Sequence, residues 1–168
     1  MNQRTVRATR RAMLRLCAAI LTCALSPTVA AQAIDLAQDL ARSAQEAQAA
    51  HVPLLVFFSQ PGCPYCDEAR RDYLGPLRTD PTTRSTMRIV EVDITSESRL
   101  TDFSGSASTH RAFAQAQRIR FVPVVKFVGV RGEPLADPLI GLTVPGFYQS
   151  YLDRRIEQAR SRLAAPAN

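Results

Sequence analysis

Two cysteines, Cys63 and Cys66, stand three positions apart in "FFSQPGCPYCDEARRDYL", residues 57 to 74, directly behind an apolar run. Thiols at this spacing support three chemistries: a redox-active dithiol, half of a zinc site, or a short structural disulfide. The neighbouring residues favour the first. "QPG" makes a sharp turn after the apolar run, and Pro64 falls where a helix would begin. Proline suits that position because its missing N–H would be unpaired anyway. Cys63 is therefore expected at or near a helix N-cap, where free backbone N–H groups and the helix dipole lower a thiol pKa and favour the nucleophilic thiolate. Cys66, one turn further in, is shielded and within disulfide reach, so one sulfur can attack and the other resolve. A purely structural bridge would close too small a loop to gain much chain entropy.

The flanking elements must hold that pair. Residues 34 to 50 place Ile34, Ala37, Leu40, Ala41, Ala44 and Ala47 on one helical face. "VPLLVFFS" reads as a buried strand entering the dithiol, and "DEARRDYL" as the helix leaving it, broken by Gly75 and Pro76. "MRIVEVDI" is a second strand, residues 95 to 109 a long polar loop, and "HRAFAQAQRI" a short helix. "FVPVVKFVGV" is a third strand, and "LADPLIGL" a fourth at an edge, because Pro138 cannot donate to an interior ladder. The last helix offers Phe147, Tyr151, Leu152 and Ile156 as its packed face. This order predicts an α/β domain over 34–163, with about four strands flanked by helices, an additional N-terminal helix, and a disordered tail at 164–168.

Residues 1 to 33 differ from the rest. Arg4, Arg7, Arg10, Arg11 and Arg15 come with no acid, an apolar run follows from Leu14 to Leu25, and "SPTVAAQA" ends in small residues. That is the pattern of a cleaved export signal, with cleavage expected after Ala33 or, alternatively, after Ala31. The apolar core falls short of the about 20 residues that span a bilayer. "TRRAMLR" resembles a twin-arginine signal, and an arginine-rich Sec signal has a similar form. Thr22 before Cys23 makes a poor lipid-attachment motif. The formal charge of +6 rests mostly on this segment. Without its five arginines, 16 basic and 15 acidic residues remain. A near-neutral mature chain argues against nucleic acid or a membrane surface as partner, and no stable membrane insertion is expected after cleavage. Cys17 and Cys23 leave with the signal, so Cys63 and Cys66 are the only thiols of the mature chain, which is expected in the bacterial periplasm.

"LLVFFSQPGCPYC", with Val122-Pro123 in "RFVPVVKF" downstream, resembles the thioredoxin superfamily from about Ala33 to Leu163. The resemblance implies a thioredoxin-like fold in which Cys63 is the nucleophile, Cys66 the resolving thiol and Pro123 a cis-proline beside them. Backbone groups of Val122, with Pro64 and Tyr65, would meet the substrate. "GVRGEPLADPLIGL" is similar to the family's last hairpin, with Gly132 in its turn and Gly141 before the final helix. Within the family the chain most resembles single-domain exported thioredoxins of sulfur oxidation or cytochrome c maturation. These imply reduction of protein disulfides, protein thiols as partners, a membrane electron donor, a monomer and no cofactor. Two features depart from the pattern. Phe57 stands six residues before Cys63, where the family usually buries an acid that helps move the resolving thiol's proton, and the chain has no tryptophan. Asp67 and Glu68 are the nearest acids in sequence, with Arg70 and Arg71 available to offset them.

Two other readings compete. A zinc site would combine the cysteines with His51 and His110, but the strand between His51 and Cys63 spans roughly 20 Å. His51 reads better as a polar residue at a strand entry, and His110 as a helix start that leads toward Pro123. The alternative is a thioredoxin-fold binding or chaperone module with an idle dithiol. The 95–109 loop is the candidate partner-specific element, and Phe103 within it reads as a local anchor rather than a substrate contact.

Overall fold

A computed structural model describes residues 34–142 and 146–165; the expected export signal at 1–33 and the last three residues of the expected disordered tail lie outside them. The described chain runs α1 (Leu40–Ala49), β1 (Leu54–Ser59), α2 (Pro64–Glu68), a π-helical segment (Ala69–Leu74), α3 (Gly75–Thr79) and β2 (Arg88–Asp93). It continues through β3 (Arg99–Thr101), β4 (Ala107–Thr109), α4 (His110–Ala116), β5 (Val124–Val128), β6 (Pro134–Ile140) and α5 (Tyr148–Ala164). The main sheet has the order β2-β1-β5-β6, with β1 parallel to β2 and antiparallel to β5, and β6 antiparallel to β5 at the edge. This is the mixed sheet with helices on both faces that the sequence predicts.

β1 is buried along its whole length, and its side chains divide by period two. Leu55 and Phe57 join Cys63, Cys66, Ile89, Val125 and Leu152 on one face, under the dithiol helix and α5. Leu54, Val56 and Phe58 join Leu40, Ala44, Phe113 and Val124 on the other, under α1 and α4. Each large side chain buried this way contributes about 1.5–3 kcal/mol. The two central phenylalanines are thus committed to opposite cores.

Four local expectations are corrected. Ile34 to Asp39 are extended rather than helical: Leu36 bridges Glu91 and Asp39 bridges Thr101, both in parallel sense. Asp39 starts the helix instead, its side chain accepting from the Arg42 amide at 2.8 Å. The free edge of β2 needed a partner, and this segment supplies one. Gly75 and Pro76 do not break the second helix. The turn before them widens to π geometry, with Gly75 N–H donating to Arg70 C=O. Pro76 falls in the first turn of α3, where a missing donor costs least. The polar stretch 95–109 is not all loop, because β3 and β4 pair as a hairpin around Gly105, whose φ is +82°. Asp102 closes that turn by accepting from the amides of Ser104 and Ser106. Finally, α5 buries Tyr148, Leu152, Ile156 and Ala159, while Phe147 and Tyr151 are exposed. Phe147 precedes the first helical residue, so the buried stripe begins one position later than the sequence pattern suggested.

Candidate active site

β1 delivers the chain to the site through Ser59, Gln60 and Pro61, and Gly62 turns it with φ +70°, a conformation side-chain-bearing residues rarely adopt. Cys63 is the N-cap of α2, with extended backbone at φ −98° and ψ 102°, and Pro64 opens the helix. The helical run continues without a break from Pro64 to Thr79, so its dipole is that of several turns. Cys66 N–H donates to Cys63 Sγ at 3.1 Å. The same amide also donates to Cys63 C=O at 3.0 Å, and its bond to sulfur would strengthen on a thiolate.

Cys63 and Cys66 are joined as a disulfide, with Cα atoms 5.2 Å apart, inside the ordinary range for such bridges. Cys66 is fully buried and Cys63 nearly so. The approach to the pair is from one side, where Pro64 and Tyr65 are exposed, Tyr65 by 62%. The Val122–Pro123 peptide bond is cis. Register places it beside the dithiol end of β1, because Phe58 pairs with Val124. Pro123 C=O accepts from Gly141 N–H at 2.8 Å, which ties the start of β5 to the end of β6. Val122 is half-buried and packs against both cores. Cys63, Cys66, Pro64, Tyr65, Val122 and Pro123 therefore gather at one end of the sheet.

His51 lies before β1, at the opposite end from Cys63, with φ +56°. His110 is at the N-terminus of α4, as expected, but it is buried and works in the scaffold. Its Nδ1 accepts from Asp93 N–H at 3.2 Å, and the ring also bonds the Ala37 backbone. Nδ1 as acceptor leaves the proton on Nε2, so the neutral ring ties β2, α4 and the N-terminal segment together. Burial pushes its pKa below the ordinary histidine value. Among the described residues no group of three or more His, Cys, Asp or Glu side chains is placed to hold a metal ion. Phe103 anchors the hairpin locally, packing on Phe113 at 5.9 Å between ring centres and lying against Gly132.

Two polar residues beside the dithiol, Glu91 and Ser59, were not singled out in the sequence, and Arg70 was expected to serve only the acids of its own helix. Glu91 is only 6% exposed and pairs in register with Phe57, the residue standing where an acid was expected. Arg70, on the helix that carries the cysteines, reaches Glu91 through Nε at 3.2 Å and Nη2 at 2.5 Å. Its Nη1 holds Asp67 at 2.7 Å. Ser59 donates to the same Glu91 carboxylate. The guanidinium also lies over the Phe57 ring, 5.6 Å from its centre. Glu91, foremost by hydrogen bonding, raises the Arg70 pKa against the opposing effect of burial. Arg71 turns away and pairs with Asp72 instead. The available signal was a single acid inside the apolar run "IVEV", which strand alternation alone does not mark as buried. Exposed Phe121, two residues before Pro123, was also overlooked.

Residues 40–155, more than half of the chain, match the family model of a thioredoxin-like domain. No curated protein matches the sequence. Among solved structures, the chain is similar to Trxlp from Edwardsiella tarda, at 23% identity and TM-score 0.50, covering 71% of this chain and 98% of that one. It is similar to a DsbH oxidoreductase at 16% identity and TM-score 0.53, covering 84% and 94%. Trichomonas vaginalis thioredoxin aligns at 17% identity and TM-score 0.50, covering 76% and 97%. At these identities the structural likeness speaks for the fold. The family match and a cysteine pair at disulfide distance make the protein a thiol–disulfide oxidoreductase by class. The chain belongs to the thioredoxin superfamily.

Proposed function

We propose that the protein is an exported, periplasmic reductant of protein disulfides, with Cys63 as nucleophile and Cys66 as resolving thiol. The observation that carries the assignment of roles is the N-cap geometry: Cys63 Sγ receives the Cys66 amide, and Cys66 is fully buried. In the reduced protein the Cys63 thiolate attacks one sulfur of a substrate disulfide. A Cys63–substrate bond forms, and the other substrate sulfur leaves as a thiolate. Cys66, on losing its proton, then attacks Cys63 Sγ, closes the Cys63–Cys66 disulfide and expels the second substrate thiol. Two electrons pass to the substrate, and its two sulfurs take up two protons. Exposed Tyr65 and Pro64, with the Val122–Pro123 backbone, would form the surface against which the substrate cysteine is held. A dithiol donor at the membrane would restore the reduced state.

Activity, trapping, potential and processing measurements test this. Reduction of insulin disulfides should be lost in Cys63→Ser, while Cys66→Ser should accumulate mixed disulfides through Cys63. Full activity in Cys63→Ser would end the enzyme reading. A reduction potential near about −270 mV supports the reductive direction, and one near about −120 mV an oxidase. Export is supported by the arginine head and apolar core of residues 1–33. No helix among the described residues is long and apolar enough to cross a membrane. N-terminal sequencing of the protein from fractionated cells should begin at Ile34 in the periplasmic fraction, and a full-length cytoplasmic product would contradict export.

A further inference from the structure

One cation on the dithiol helix serves two carboxylates. Arg70 is shared between Asp67 and Glu91, leaving the three groups with one uncompensated negative charge. Glu91 is buried, Arg70 is largely shielded, and Asp67 directly follows Cys66. The cluster lines a cleft of about 320 Å³ that also includes Gln60 and Pro61, the loop leading to Cys63. Phe57, stacked under Arg70, belongs to the same packed cluster as both cysteine sulfurs. Glu91 therefore acts through apolar side chains, where screening by water is weak, whereas exposed Asp67 is screened more strongly.

We infer that the Asp67–Arg70–Glu91 cluster tunes the dithiol toward reduction, its excess negative charge opposing the Cys63 thiolate that the helix N-terminus favours. This rests on the redox reading above and extends it to the residues that set the potential. The reasoning is a charge balance. In exchange with glutathione, the Cys63–Cys66 bond breaks, two glutathione thiols form one disulfide, and two electrons with two protons pass to the protein sulfurs. Cys63 then ionises in the reduced protein. No such charge exists in the disulfide, so a nearby anion raises the free energy of the reduced, ionised form alone. The oxidised form becomes relatively more stable and the protein a stronger reductant. Other charged groups on the dithiol helix, β2 and β5 are Glu68, the Arg71–Asp72 pair, Arg78, which pairs with Asp35, Arg88, Lys126 and Asp93, whose carboxylate accepts from Thr95. All of these stay constant when only the cluster is altered. Tyr148, against the same core from α5, is held as the neutral phenol by burial.

The test is the sign of paired changes, read as the Cys63 pKa by thiolate absorbance and as the glutathione equilibrium at pH 7. Glu91→Gln removes an anion while keeping the shape, so the Cys63 pKa should fall and the potential should rise. About tenfold in the equilibrium constant, roughly 30 mV, is expected. Arg70→Gln should shift both quantities in the opposite direction, and Arg70→Lys should stay near the wild type. Asp67→Asn, on the solvent side, should follow Glu91→Gln with a smaller shift that added salt diminishes. It also covers the case in which a change at the buried pair prevents folding. A merely structural cluster would move Glu91→Gln and Arg70→Gln the same way, or neither, and leave Asp67→Asn at the wild-type potential; that pattern overturns the inference. Failure of the wild-type dithiol to equilibrate with glutathione at all would instead overturn the proposed function, and this inference with it.

Discussion

One face of the central sheet buries a carboxyl group and the other an imidazole, and the two are accommodated differently. On the dithiol face the Glu91 side chain accepts hydrogen bonds from Arg70 and Ser59. On the other face burial lowers the His110 pKa, its Nδ1 accepts the Asp93 N–H, and among the described residues it has no charged hydrogen-bond partner. A buried carboxylate needs a countercharge, because its desolvation is otherwise too costly. A buried imidazole needs only a donor, because it can give up its proton. The carboxylate thus sits on the side that carries the sulfurs, while on the opposite side a neutral ring joins the N-terminal segment to β2 and α4.

Variants that affect one face and not the other test this division. The largest effect is chemical: Cys63→Ser should reduce disulfide-reductase activity to background while urea unfolding shows a stability close to that of the reduced wild type. Next are the adjacent phenylalanines of β1. Phe57→Ala and Phe58→Ala should each cost about 3–5 kcal/mol in chemical denaturation. Only Phe57→Ala should also move the reduction potential, since its ring packs with both cysteines and under Arg70. Equal potentials in the two variants would remove the distinction between the faces.

His110→Gln should cost about 1–3 kcal/mol at pH 7, for a buried amide left without its acceptor. It should also flatten the acid side of the stability profile. Burial lowers the folded-state pKa of His110, so the unfolded chain binds the proton first, near pH 6.5. The wild type should therefore keep the His110 contribution above about pH 6.5 and lose stability as the pH falls from there toward the folded pKa. A profile over that range identical in the wild type and the variant would contradict this role. The smallest expected effect is at Asp39→Ala, about 1 kcal/mol from loss of the α1 cap, with no change in potential.

Most of the site could be read in advance where the chemistry is local in sequence. Cys63, Pro64 and Cys66 lie within one turn, and the preference of proline for a helix start and of a thiol for an N-cap operates over that distance. Val122-Pro123 depended on resemblance rather than on local rules, since nothing in "RFVP" by itself brings it beside a dithiol sixty positions earlier. The errors in the fold share a cause. Ile34 and Ala37 fit a helical stripe, yet hydrogen bonds to the open edge of β2 outweighed that weak preference. Gly75-Pro76 reads as a stop, yet a single widened turn carried the helix through it.

The sequence alone determined what lies within reach of a few residues. It specified a thiol pair at a helix start, strands alternating with helices, and a basic apolar segment ahead of a near-neutral domain. Only the tertiary structure decided which charges surround the sulfurs. Asp67 follows Cys66 in the chain, but its countercharge Arg70 is shared with Glu91 from a neighbouring strand. A local rule assigns Arg70 to the adjacent acids of its own helix. Strand register, which pairs Phe57 with Glu91, brings a buried acid to that arginine from twenty-one positions away. Electrostatic interaction depends on distance and dielectric, and both are properties of the folded core rather than of the order of residues along the chain.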